Sequence, residues 1–176
     1  MKSAEYSDIQ PIVNNGDLIE IRSEGLIGKA IRIVTGQYVN HSALVVVFNL
    51  HNSMYSRRYI IEADEKGFHL SYLSDVVARN SGRIYWSKVS PLWHAHRESF
   101  AMQALALEGR PYDWADLINN ISGPVRLDAT KLFCSEAIQA AAIGAYMIPN
   151  DFNDGMALRP GELHKMGIWE QPIIVR

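Results

Sequence analysis

Segments typical of β-strands are gathered in the first half of this chain, and segments typical of helices are gathered in the second half. Four strands are predicted from β-branched and aromatic runs, at residues 17–22, 42–50, 58–64 and 82–90. Two stretches rich in helix formers, residues 94–109 and 134–147, come later. Strands followed by helices, without regular alternation, predict an α+β fold in which helices pack on one antiparallel sheet.

Weaker signals complete this interpretation of the chain. Residues 67–73 follow a turn and are expected to pair back on the strand at 58–64. The helical spacing of residues 26–34, with Gly36 as a stop, predicts another helix. Further expectations are an irregular arm at 1–15, a short helix at 113–120 and an edge strand at 169–176, where Pro172 would be tolerated.

Length and composition fit one globular domain and argue against several functions. The chain has 176 residues, of which 48% are hydrophobic, as expected of a domain with an ordinary core. The formal net charge is -2 and the 17 Lys and Arg residues are scattered, so nothing favours nucleic acid or an anionic membrane surface as a partner. We expect a single domain over residues 1–176, with residues 1–15 as an N-terminal arm.

The apolar segments bear on where the protein is found. The N-terminal residues lack the apolar stretch of a secretory signal. The longest apolar run, residues 43–48, is far too short to cross a bilayer. We therefore expect a protein that is cytoplasmic as synthesised and has no integral membrane segment. Export by a phage or by a dedicated secretion system stays open.

The chain contains one cysteine, Cys134, at the predicted start of the helix over residues 134–147. A single cysteine excludes an internal disulfide and any metal site built from several cysteines. Free backbone N–H groups at a helix start carry the positive end of the helix dipole, so they favour a thiolate and can bind an oxyanion. The simpler alternative is a small buried apolar residue.

A cysteine nucleophile needs a base, and His41 is the best placed of the six histidines. It directly precedes the buried run "SALVVV", so it lies at the mouth of a central strand. Glu62 lies on the next predicted strand. If the two strands are antiparallel neighbours, the start of one faces the end of the other, and Glu62 can orient the imidazole. The alternatives are a polar strand-end residue for His41 and an exposed strand residue for Glu62.

Two other groups of residues are weaker candidates for a site. The pair in "HAH", His94 and His96, has no third ligand nearby in sequence, so we expect no metal there. The aromatic residues Tyr85, Trp86 and Trp93 could line a ligand groove, but core packing is the favoured role.

Six pieces of the chain, taken in order, resemble a known family. They are "NGDLIEIR", "GLIGKAIRIVTG", "NHSALVVV", "YIIEAD", "GRPYDW" and "LFCSEAI". This order resembles the circularly permuted branch of the NlpC-like papain-fold hydrolases, the YiiX/YebB-like group related to lecithin–retinol acyltransferase. The resemblance covers roughly residues 15–165, and its strength comes from the order of the pieces, since each alone is unspecific.

The resemblance implies roles for individual residues. Cys134 matches the nucleophile, His41 the general base and Glu62 the residue that orients the imidazole. Tyr112 matches, more loosely, a tyrosine that lines the substrate site, and Asp17 matches a structural position. The family usually has glycine where this chain has Ala43. Residues 113–133 do not align with the family pattern, so the resemblance does not extend to substrate specificity.

The resemblance also implies an activity. It predicts a papain-like thiol hydrolase that cleaves an amide or ester bond through a thioacyl-enzyme and needs no metal or organic cofactor. Peptide amides of the cell-wall type, including peptidoglycan fragments, are the first candidate substrates, and lipid acyl groups are the second. A peptide- or fatty-acid-binding module without turnover is the rival from another functional class.

Overall fold

The computed structural model describes residues 1–48, 57–64, 67–110 and 134–176. The strands are β1 (Ser3–Ala4), β2 (Leu18–Arg22), β3 (His41–Val47), β4 (Arg58–Asp64), β5 (Gly67–Tyr72), β6 (Arg83–Ser87) and β7 (Ile173–Val175). The α-helices are α1 (Tyr6–Ile9), α2 (Leu26–Thr35), α3 (Leu73–Arg79), α4 (Arg97–Leu105) and α5 (Cys134–Gly144). Short 3₁₀ helices occupy Pro91–His96, Phe152–Gly155 and Leu163–Met166.

The strands form one mixed sheet in the order β1-β7-β6-β2-β3-β4-β5. The pairs β7–β6, β6–β2, β2–β3, β3–β4 and β4–β5 are antiparallel. Strand β1 instead runs parallel to β7. The predicted α+β class is therefore confirmed, whereas the prediction of an antiparallel sheet holds for every described pair except this one.

The strong sequence signals correspond to strands of the structure. Strands β2, β4 and β6 fall within three of the four predicted segments, and β3 begins one residue before the fourth. Strand β5 pairs back on β4 through the turn that joins Asp64 to Gly67. Helix α2 ends at Gly36, which takes the left-handed conformation that favours glycine (φ 67°). The helix predicted at 113–120 lies outside the described residues.

Two predictions about the chain ends were wrong. The expected irregular arm at 1–15 contains β1 and the short helix α1. Strand β7 does not lie at the edge of the sheet, because the two residues of β1 pair with it on its outer side. Two residues are too few for any periodicity, so only the tertiary pairing reveals β1. Pro172 precedes β7 and leaves the pairing of that strand intact.

The sheet separates two cores, and the larger one positions the candidate site. Helices α4 and α5 cover one face, where Leu18, Leu44 and Ile61 pack against them. Helix α3 covers the other face, where Val45 and Ile60 lie. The first turns of α5 are buried throughout, from Cys134 to Gln139. This burial is what a central helix requires, and it places the start of α5 against the sheet.

A buried carboxylate holds one end of the sheet together. Asp17 is fully buried, and its carboxylate accepts hydrogen bonds from the Trp86 indole (2.9 Å) and the Val89 backbone N–H (3.0 Å). It also forms an ion pair with Arg97 (2.8 Å). Burial raises the pKa of Asp17, against the opposing effect of Arg97. The structural role expected for Asp17 therefore has a physical basis in these contacts.

Replacing Asp17 by asparagine is expected to destabilise the fold by about 3–5 kcal/mol, because it leaves the buried Arg97 guanidinium without its counter-charge. Urea unfolding near neutral pH measures this free energy. The matched control is Asp8→Asn on the exposed side of α1, which we expect to change stability by less than about 0.5 kcal/mol. Equal effects of the two changes would mean that the Asp17–Arg97 pair contributes nothing specific.

A membrane-spanning helix is not found in the described ranges, since none of their helices is both long enough and apolar enough to cross a bilayer.

Candidate active site

Cys134 is the first residue of α5, and its side chain is buried, with 7% of the residue exposed. Helix α5 packs against α4 and β3. The first backbone N–H groups of any α-helix have no partner within the helix. The thiol therefore lies beside donors that can stabilise negative charge, on the thiolate itself or on an oxyanion formed next to it.

His41 is the first residue of β3, and its imidazole contacts both other members of the predicted site. Its Nε2 lies 3.2 Å from Oε2 of Glu62. The ring also lies close to Cys134, which contributes to the raised pKa of His41. The structure thus brings together three residues that lie on two strands and a helix.

Glu62 lies near the end of β4, and its carboxylate is 6% exposed. The pairing of β3 with β4 places the start of one strand at the end of the other, as the sequence interpretation assumed. Besides His41, the carboxylate binds Arg79 of α3, with Nη2 at 2.8 Å from Oε1. These contacts fix both carboxylate oxygens, so the orientation of His41 is fixed as well.

His41 and Glu62 stabilise each other in their charged forms. Burial lowers the pKa of His41, but hydrogen bonds to Cys134 and Glu62 outweigh this effect and raise it to about 10. Burial raises the pKa of Glu62, but the hydrogen bond from His41, with smaller contributions from Ser71 and Arg79, lowers it to about 2. Near neutral pH the site therefore favours a protonated His41 imidazole beside an ionised Glu62 carboxylate.

Replacing Glu62 by glutamine is expected to produce a pH-dependent loss of stability. The folded-state pKa is lowered from 4.5 to about 2, so the carboxylate stabilises the fold fully above pH 4.5, and this contribution disappears as the pH falls towards 2. By linkage it is worth on the order of 3 kcal/mol. Urea unfolding of both proteins across this range measures it.

We expect the stability difference between the wild type and Glu62→Gln to be largest near neutral pH and to shrink steadily in acid. Asp75→Asn on α3 is the control, since Asp75 is exposed. A difference that stays constant from neutral pH to pH 2 would show that the ionised carboxylate contributes no stability through its pairs.

The remaining candidates have varied outcomes. Tyr112 lies outside the described residues. Tyr85 and Trp86 are buried in the cores, as expected of packing residues. His94 is exposed, and the His96 ring bonds the Ala145 carbonyl (3.1 Å). Among the described residues, no group of three or more His, Cys, Asp or Glu side chains could hold a metal ion.

Two contacts of the site were missed by the sequence interpretation. Arg79 reaches Glu62 from α3, a helix that was not predicted because its apolar spacing covers only two turns. Without that helix no sequence pattern connects positions 62 and 79. His69 lies directly opposite Glu62 in the β4–β5 register, with Nε2 at 3.8 Å from Oε1. The sequence could have predicted this contact, because a tight turn at residues 64–67 places residue 69 opposite residue 62.

Comparisons with known proteins add information on the fold. No family model matches the chain, and no match is found among the curated proteins. Among solved structures, the chain is similar to the metalloprotein YiiX from Escherichia coli O157:H7, with a TM-score of 0.60 and 21% sequence identity. The match covers 77% of this chain and 67% of that one. The likeness shows that this chain shares the fold of YiiX.

Proposed function

We propose that the protein is a cysteine hydrolase that cleaves an amide or ester bond through a thioacyl-enzyme. The observation that carries this proposal is the contact of the His41 imidazole with both Cys134 and Glu62, residues from three different elements. Structural histidines do pair with carboxylates, but a thiol at a helix start on the other side of the ring is the arrangement that nucleophilic catalysis needs. We also propose that the fold is papain-like and that the order of its elements along the chain is circularly permuted.

In the proposed mechanism, the Cys134 thiolate attacks the carbonyl carbon of the substrate and His41 holds the thiol proton. Backbone N–H groups at the start of α5 bind the oxyanion of the tetrahedral intermediate. The intermediate collapses when His41 gives its proton to the leaving nitrogen or oxygen, and a thioester to Cys134 remains. Water then attacks the thioester, His41 accepts a proton from it, and the acid product leaves with the thiol restored. Glu62 keeps the ring oriented and stabilises the imidazolium throughout.

The preferred substrates are peptide amides of the cell-wall type, and lipid acyl esters are the alternative. The catalytic residues do not discriminate between them, because the same attack serves an amide and an ester. The name metalloprotein belongs to YiiX. In this chain one carboxylate oxygen of Glu62 faces His41 and the other faces Arg79, and the proposed reaction gives Glu62 the role of orienting His41.

The proposal is tested by incubating the full chain with peptidoglycan fragments and with short- and long-chain acyl esters, in the presence of a metal chelator. Mass spectrometry follows both the released products and any acyl adduct on Cys134. Product release with a transient adduct is the expected result. Tight binding of a fragment or ester with no adduct and no product would replace the hydrolase by a binding module.

A further inference from the structure

A small cavity lies beside Cys134, between the sheet and the helices α4 and α5. Its walls are mostly apolar and include Ile61, Phe68, Leu107 and Ile138. It offers about 10 Å³ to the centre of a water-sized group, which is room for about one water molecule or one small substituent. A reactive thiol therefore borders a space that can take a single small group.

Ser42 also lines this cavity, and together with Glu62 it is one of the two oxygen-bearing side chains in the described lining. Ser42 is 1% exposed, and its Oγ has no hydrogen-bond partner in the part of the chain that the structure describes. Its neighbour across the strand pair, Glu20, does not supply one. The Glu20 carboxylate is occupied by the Tyr38 hydroxyl (2.6 Å) and by the backbone N–H of Gly161 (3.1 Å).

A buried hydroxyl without a hydrogen-bond partner destabilises the fold. Its position beside Cys134 therefore suggests that it has a functional role. The cavity is too small for a hydrocarbon chain. A hydrocarbon group placed there would also leave the hydroxyl unpaired. A small substituent carrying a nitrogen or oxygen atom fits the space and pairs with Ser42. The proposed oxyanion site is at the start of α5, whereas Ala137 and Ile138 place this cavity on the flank of that helix.

We propose that the cavity is a subsite for a small hydrogen-bonding substituent on the carbon next to the scissile carbonyl, and that Ser42 is the residue that selects it. This inference rests on the proposed hydrolase function and narrows its substrates. It favours α-amino or α-hydroxy acyl groups, such as the aminoacyl group of a peptide. It disfavours plain hydrocarbon acyl chains.

The test compares two p-nitrophenyl esters, glycolate and propionate, whose acyl groups match in size and differ by a hydroxyl in place of a methyl group. The wild type is expected to prefer glycolate in kcat/KM, after correction for the uncatalysed rates, and Ser42→Ala is expected to reduce this preference roughly tenfold or more. The rate of Cys134 alkylation by iodoacetamide should not change, because that reaction does not use the subsite.

A second variant keeps the hydroxyl and fills the space. Ser42→Thr, which suits a strand, should slow acylation by both esters while leaving alkylation unchanged. Ser87→Ala is the matched control: Ser87 is also a buried strand serine, but its hydroxyl contacts His164, and the ester preference should stay as in the wild type.

Each outcome has a distinct meaning. An unchanged preference in Ser42→Ala, together with normal acylation in Ser42→Thr, would overturn the subsite and leave the hydrolase standing. A wild-type protein that neither ester acylates, and whose thiol reacts no faster than free cysteine, would overturn the hydrolase and the subsite together.

Discussion

Replacing Cys134 by alanine is expected to lower the rate of substrate cleavage by a factor on the order of 10⁴ to 10⁶, because the chain then lacks the atom that forms the thioester. The fold should survive, since the change removes one sulfur atom from a small buried side chain and costs about 1 kcal/mol. Steady-state hydrolysis of p-nitrophenyl acetate measures the rate, and urea unfolding of the same sample measures the stability.

Cys134→Ser provides the matched control for packing. A serine nearly preserves the size of the side chain and its place at the start of α5, but its hydroxyl is a far weaker nucleophile near neutral pH. Both variants should therefore be inactive and folded. If Cys134→Ala cleaved the ester as fast as the wild type, the observed hydrolysis would come from another group. If both variants unfolded, Cys134 would be better described as a core residue.

Much of the sheet could be predicted because its signals are local. The run of β-branched residues in β3 and the alternation in β2 need no knowledge of the rest of the chain. The closeness of His41 and Glu62 also followed, since antiparallel neighbours place the start of one strand beside the end of the next. These inferences required only the period of a strand and one short connection between neighbours.

The rest depended on contacts between distant parts of the chain. Strand β1 has two residues and exists because β7, at the other end of the chain, pairs with it. Arg79 reaches Glu62 only because α3 crosses that face of the sheet. The meeting of Cys134 with His41 was expected from the family resemblance alone, because no local pattern connects a helix start with a strand start 93 positions away.

The surroundings of His41 support the catalytic role that we propose for it. A histidine that only caps a strand would need one partner, and Glu62 would suffice. Here the same ring also lies close to the thiol, and Arg79 holds the Glu62 carboxylate behind it. Such a chain of contacts keeps the ring in one orientation, and the proposed proton transfer depends on that orientation.

Replacing His41 by alanine is expected to slow the alkylation of Cys134 by iodoacetamide about 10- to 100-fold near neutral pH, because the thiolate loses its counter-ion. The wild-type pKa of His41 is raised from 6.5 to about 10, so the imidazolium is present throughout the neutral range and loses its proton only as the pH rises through about 10. The wild-type rate should therefore stay high at neutral pH. In the variant it should rise only towards the usual range of a free thiol, at about pH 8.5.

The matched control is His94→Ala, which removes an exposed imidazole and should leave the alkylation profile unchanged. Alkylation is followed by mass spectrometry across the pH range, with free cysteine as the reference rate. Identical profiles for the wild type and His41→Ala would mean that the imidazole does not activate the thiol, and the cleft would then be better explained as a binding site. A profile that depends on His41 would instead show that the imidazole promotes ionisation of the Cys134 thiol, as the proposed mechanism requires.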